Sequence, residues 1–175
     1  MRLIALAAIA ALCAGCIVVS LQPVYSDDAI VFEEGLVGQW QNPDDRTSVS
    51  IERGEWRAYK VVYTERSTVI AFQGNLTRIG EALFLDLTQS RGVDEGPYLV
   101  PVHGIYRVEL EGDKLCASPL DYEWFTHAMA LKKVTAALDS RRNVTLATST
   151  LQLREWLAHA PDAAFAAPMT FTRTR

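Results

Sequence analysis

The sequence predicts a mainly β domain: an antiparallel meander barrel of about eight strands, with two to three short helices near the C-terminus. Three observations predict it. Between residues 35 and 117, short alternating segments are separated by turn residues. The spacings are too short for parallel crossovers, so neighbouring strands must run antiparallel. After Asp121 the apolar period changes to that of a helix, and a last alternating segment, Met169 to Thr174, ends the chain.

The first strand is expected at Gly35 to Gln41, stopped by the turn residues Asn42-Pro43-Asp44-Asp45. Thr47 to Glu52 follows, with Val49 and Ile51 on one face. Arg53-Gly54-Glu55 turns the chain into Trp56 to Thr64, where Trp56, Ala58 and Val62 oppose Tyr59, Val61 and Tyr63. Thr68 to Leu76 is next. A hairpin at Arg78 to Glu81 leads into Ala82 to Leu87, with Leu83, Leu85 and Leu87 inward. Residues 89–97 read as a loop. Tyr98 to Leu110 reads as the longest strand, bent at Gly104, and Glu111-Gly112-Asp113 turns it back into Lys114 to Ala117.

Asp121 is a good N-cap, and Leu120 with Phe125 forms a hydrophobic staple, so a helix is expected over Tyr122 to Lys132. Asn143 to Ala147 reads as a short strand. Ser149 with Gln152 makes a capping box for a second helix whose apolar face is Leu153, Trp156 and Leu157. Pro161 to Phe165 is a helical turn. In the last strand Met169, Phe171 and Arg173 share one face. That strand should pair with the first, because joining the two ends closes a barrel and leaves no free edge.

The N-terminus carries an address. Met1-Arg2 is followed by an apolar run from Leu3 to Leu12, the length of a secretory signal core. Leu12-Cys13-Ala14-Gly15-Cys16 then resembles a bacterial lipoprotein signal, with Cys13 standing where that family usually has Leu. The resemblance implies cleavage between Gly15 and Cys16 and acylation of Cys16. A plain cleaved signal is an alternative, and so is an uncleaved anchor, since Leu3 to Leu21 reaches the roughly 17–25 residues that spanning requires. The organisation read from the chain is thus a signal over 1–15, a lipid-anchored tether over 16–34 and one domain over 35–175. By resemblance to enterobacterial sorting, Ile17 after the cysteine implies the periplasmic face of the outer membrane.

With Cys13 in the signal and Cys16 acylated, Cys116 is the remaining cysteine, so no disulfide framework is expected. The 175 residues carry 49% hydrophobic and 22% charged residues, which excludes a disordered chain, and a net charge of −4 gives no electrostatic reason to bind nucleic acid.

The strand plan with Gly38-Gln39-Trp40 at its start resembles the lipocalin and calycin barrels, which carry Gly-x-Trp in their first strand. The resemblance implies that Trp40 plugs one end of the barrel and that a basic residue near the C-terminus, Arg173 or Arg175, packs over it. The chain departs from that pattern in its two helices and extra strand before the closing strand. It also resembles a group of bacterial lipoproteins of unknown function, through Gly38 to Trp40, Leu83 to Leu87, Pro101 to His103, Asp121 to Trp124 and Leu146 to Ser149.

No catalytic motif is legible. His103, His127 and His159 lack metal-ligand spacing. His103 reads as a residue of the strand surface or the cavity wall. No nucleophile elbow, phosphate loop or dinucleotide fingerprint occurs, and Glu65, Asp86 and Asp94 are scattered. The expectation is a non-enzymatic protein without cofactor or metal. It is held on the membrane by its N-terminal lipid and takes a small hydrophobic ligand among Tyr59, Tyr63, Phe84 and Tyr106. The alternative is a packed core acting through its surface on an envelope protein, as a structural partner or an inhibitor.

Overall fold

The computed structural model describes residues 17–90, 100–130, 135–139 and 142–174. Gly15 and Cys16, with the rest of the expected signal over 1–15, lie outside these residues. So do Arg175, most of the loop expected at 89–97 and the last residues of the first expected helix.

Eight antiparallel strands close into a barrel, with helices confined to its outside. In chain order the barrel strands are β3 (Gly38–Gln41), β4 (Ser48–Arg53), β5 (Tyr59–Glu65), β6 (Thr68–Ile79), β7 (Ala82–Gln89), β8 (His103–Glu111), β9 (Lys114–Pro119) and β12 (Met169–Arg173). Each pairs with its sequence neighbour up to β9, and β12 is inserted between β9 and β3. Phe171 lies opposite Leu115 on one side, and Arg173 lies opposite Trp40 on the other. The closure expected between the first and last strands is therefore present. Turn chemistry sets the registers: Gly80 and Gly112 sit at φ 58° in the tight turns after β6 and β8, where a side chain would be strained.

The period-two pattern separates two cores. Side chains facing inward, among them Trp40, Ile51, Val61, Leu85, Val108 and Phe171, fill the barrel. Their outward neighbours Phe84 and Ile105 help to form a second core under the helices α1 (Tyr122–Ala130) and α2 (Thr150–Leu157). The capping signals explain where these helices start. Asp121 accepts from the Trp124 amide at 2.7 Å, and the Ser149–Gln152 capping box is complete. Leu120 and Phe125 are both buried beneath α1.

The segment expected as a tether is instead built into the fold. Residues 18–20 form β1 (Val18–Ser20), which pairs in parallel with β11 (Val144–Leu146) and meets β8 where Ser20 lies opposite His103. β10 (Ala136–Leu138) extends this outer sheet. The chain then crosses the barrel wall and adds β2 (Ile30–Val31) beside β6. Val24 is fully buried on the way, and α2 clamps it there: Arg154 donates to the Val24 carbonyl at 2.9 Å, and Thr150 donates to the Pro23 carbonyl at 2.8 Å. The polar look of 20–28 concealed this, because the apolar anchors of residues 18–28, Val18, Val19 and Val24, are few and irregularly spaced.

Three boundaries also differ from expectation. Glu34–Leu36 is a 3-10 turn, so the first barrel strand begins at Gly38. Trp56 belongs to a turn and not to β5, with its backbone at φ 55° and its side chain 93% exposed. The long strand begins at His103, and Val100 and Val102 before it are exposed.

Candidate functional site

The barrel has a plugged end and an open end. At the plugged end, Trp40 is buried and its indole N–H donates to the Leu36 carbonyl at 2.9 Å. Arg173 lies over the ring, its guanidinium carbon 4.2 Å from the centroid. Its two terminal nitrogens donate to the carbonyls of Val37 at 2.8 Å and Gly35 at 2.6 Å, and its Nε is 3.2 Å from Asp113. The fork of donors satisfies carbonyls that the 3-10 turn leaves open, a task for which a lysine, with its donors on one nitrogen, has the wrong shape. Gly38 makes room for it: at φ 152°, a Cβ there would collide with the guanidinium.

Above the plug, an apolar cavity of about 270 Å³ occupies the lumen. Val61, Phe72, Leu85, Leu115 and Phe171 contribute its wall. Tyr63 and Tyr106 of the four candidate aromatics line it, and Tyr59 and Phe84 do not. Tyr59 stands at the plugged end, where its hydroxyl accepts from the Glu33 amide at 2.7 Å and donates to the Glu33 carbonyl at 3.1 Å. Burial pushes its phenol up to about 12. Phe84 faces outward into the helix-covered core, 6.1 Å from Phe165. The cause is parity: in β7 the residues sharing a face with Leu85 point in, so Phe84 must point out.

The two lumen tyrosines have different surroundings. Tyr63 donates to Glu65 at 3.0 Å, and burial followed by that carboxylate pushes its phenol up. Tyr106 has no hydrogen-bond partner among the described residues, and burial pushes its phenol up as well. It is the polar handle of an otherwise apolar chamber.

A second polar cluster was missed in the sequence. Asp86, fully buried on the outer barrel wall, accepts from the Val24 amide at 2.8 Å and pairs with His103 Nδ1 at 2.7 Å. Thr88 lies 3.2 Å from the same ring nitrogen. His103 is thus neither on the strand surface nor on the lumen wall. The pair lies under the N-terminal segment, and Ser20, opposite His103 in the sheet, spends its hydroxyl on the Gln22 carbonyl at 2.7 Å. Among the described residues the imidazole meets the Asp86 carboxylate and the Thr88 hydroxyl on one ring nitrogen, and Asp86 also holds the Val24 amide, so the geometry is that of a fastening for the N-terminal segment. The alternation of β7 and β8 put Asp86 and His103 on one face, but only the strand register makes them neighbours.

Among the described residues no group of His, Cys, Asp and Glu is arranged to hold a metal, and no helix is long and apolar enough to cross a membrane. No family model, curated protein or solved structure matches the chain.

Proposed function

We propose that the protein is a non-enzymatic, lipid-anchored envelope protein of the outer membrane whose lipocalin-like barrel takes up a small apolar ligand. The observation that carries this reading is the lumen: a chamber of about 270 Å³ with a nearly wholly apolar wall, closed by Trp40 and Arg173 at one end. Scaling from a 150 Å³ dry cavity that accepts a benzene ring, the chamber suits roughly ten carbon atoms. A medium-length acyl chain fits both that size and the single polar handle of Tyr106. The anchor reading rests on Leu12 to Cys16. Ile17 is fixed to the outer sheet through Asn143 and Val144, so an acylated Cys16 would adjoin the folded body without a spacer.

Titration of the delipidated protein with decanoate and with an apolar fluorescent probe tests the ligand. Saturable one-to-one binding that Ala117→Phe abolishes, at an unchanged Tm, is expected, because Ala117 lines the lumen. Absence of saturable binding refutes it. The anchor has its own test in palmitate labelling: incorporation into the wild type and none into Cys16→Ser is expected, and label retained by Cys16→Ser refutes lipidation there.

A further inference from the structure

We propose a second binding site, for a neutral oligosaccharide, in the groove on the outer face of β5 and β6. The groove measures about 670 Å³ and lies across the same two strands from the lumen, with Val61 and Phe72 bordering both. The N-terminal segment at Tyr25 and Asp27 walls one side, and the β4–β5 turn with Trp56 walls the other.

Two independent features point to a ligand. The first is Asn75 on the groove wall. The residue is 5% exposed, makes no side-chain hydrogen bond among the described residues, and turns the little surface it keeps, its amide, to the groove. What fills the groove, water or the hydroxyls of a ligand, is therefore what this amide bonds to. The second is Trp56. It occupies, with Arg57, the centre of a turn closed by the Ala58 amide donating to the Glu55 carbonyl at 2.8 Å. Both central residues have positive φ, 55° and 77°. Such a turn favours Asn-Gly, and a large side chain there costs roughly 1–2 kcal/mol. The chain nonetheless displays a tryptophan, 93% exposed, at this strained and well-defined position.

The surrounding chemistry selects the ligand class. Asp27, Glu52 and Glu55 face a single Lys60, so the groove repels phosphates and carboxylates. It lies on the face of paired strands, so it offers no free edge to an extended peptide. A sugar ring presents what remains: an apolar C–H face for the indole, and hydroxyls that donate to carboxylates and exchange hydrogen bonds with an amide. Burial, then Asp86 and Asp27, pushes the Tyr25 phenol up, so Tyr25 stays a neutral hydroxyl beside the amide.

Calorimetric titration of the full chain with cellobiose, maltose and N,N′-diacetylchitobiose tests the site. At least one is expected to bind saturably, with a shift of the Trp56 indole N–H resonance, and more tightly than cellobionate, the anionic analogue of cellobiose. Trp56→Asn, which keeps the left-handed backbone, should weaken binding about tenfold. Asn75→Leu should abolish binding with little change in Tm, because the amide makes no hydrogen bond to the described residues. No saturable binding of any of the three sugars, or binding that both variants leave unchanged, overturns the proposal.

Discussion

Arg173 and Trp40 face each other across the β12–β3 seam, the guanidinium 4.2 Å from the indole centroid, as Cα partners in the register that closes the barrel. One contact therefore joins the end of the chain to the first barrel strand and seals the floor of the lumen. Trp40→Ala should cost about 3–5 kcal/mol in urea unfolding, because it empties a fully buried site and frees the Leu36 carbonyl. Arg173→Lys should cost about 1–3 kcal/mol, because it leaves a carbonyl at Gly35 or Val37 without its donor. If Arg173→Lys unfolds like the wild type, the fork geometry is not what holds the plug.

Gly38 supplies the room for that contact. Gly38→Ala should approach the effect of losing the arginine, through the clash with its guanidinium and the strain at φ 152°. Gly80→Ala is the control. It carries the strain of φ 58° but meets no neighbouring atom, so it should cost about 1–2 kcal/mol. Equal Tm losses for the two variants would show that backbone conformation, and not the space for Arg173, is what Gly38 provides.

Asp86 fastens the N-terminal segment. Asp86→Ala leaves the Val24 amide without its acceptor and His103 without its partner in a buried setting, so a loss of about 3–5 kcal/mol is expected in thermal or urea unfolding. Amide exchange should be fastest at Val24 and in β1, because those residues are released first. Uniform acceleration over the whole barrel would instead make Asp86 part of the global core.

How far the sequence could be read follows from its periods. Strand alternation and turn residues made the barrel legible, because those signals are local, whereas the plug of Trp40 with Arg173 or Arg175 was implied only by the resemblance of Gly38 to Trp40 to the lipocalin pattern. The N-terminal strand was not legible: Val18 to Ser20 is short, and it is stable only because β11 and β8 lie beside it. Tyr59 and Phe84 illustrate a different limit. Aromatic type does not say which face a residue takes or how deep it lies along the lumen. Asp86 and His103 meet only through the β7–β8 register, as Asn75 and Trp56 meet a common groove only through the curvature of the wall.

Tyr59 predicts an alkaline limit to stability. Its folded-state phenol is pushed up to about 12 from its ordinary value of 10.0, because burial disfavours the phenolate. The neutral form is therefore the one that folding favours. Its contribution is complete below pH 10 and declines as the pH rises through about 12, by at most about 3 kcal/mol. Tyr59→Phe should lower stability at pH 7, through loss of both Glu33 hydrogen bonds, and should flatten the decline above pH 10. A wild-type stability curve that stays level between pH 10 and 12 would contradict this assignment.

The final strand is the last test of the fold. β12 pairs on one side with β9 over Met169 to Thr172 and on the other with β3 at Thr172 and Arg173. Deleting residues 169–175 removes the strand between them, with Phe171 from the barrel core and Arg173 from the plug. It also exposes the facing edges of β3 and β9, whose free N–H and C=O groups invite pairing with other chains. The truncated chain should lose cooperative unfolding and aggregate. A chain carrying only Phe171→Ala should stay folded, about 3–5 kcal/mol less stable, which separates loss of the seam from loss of one core side chain. Retention of full stability and a single sharp transition after the deletion would mean that the barrel closes without β12.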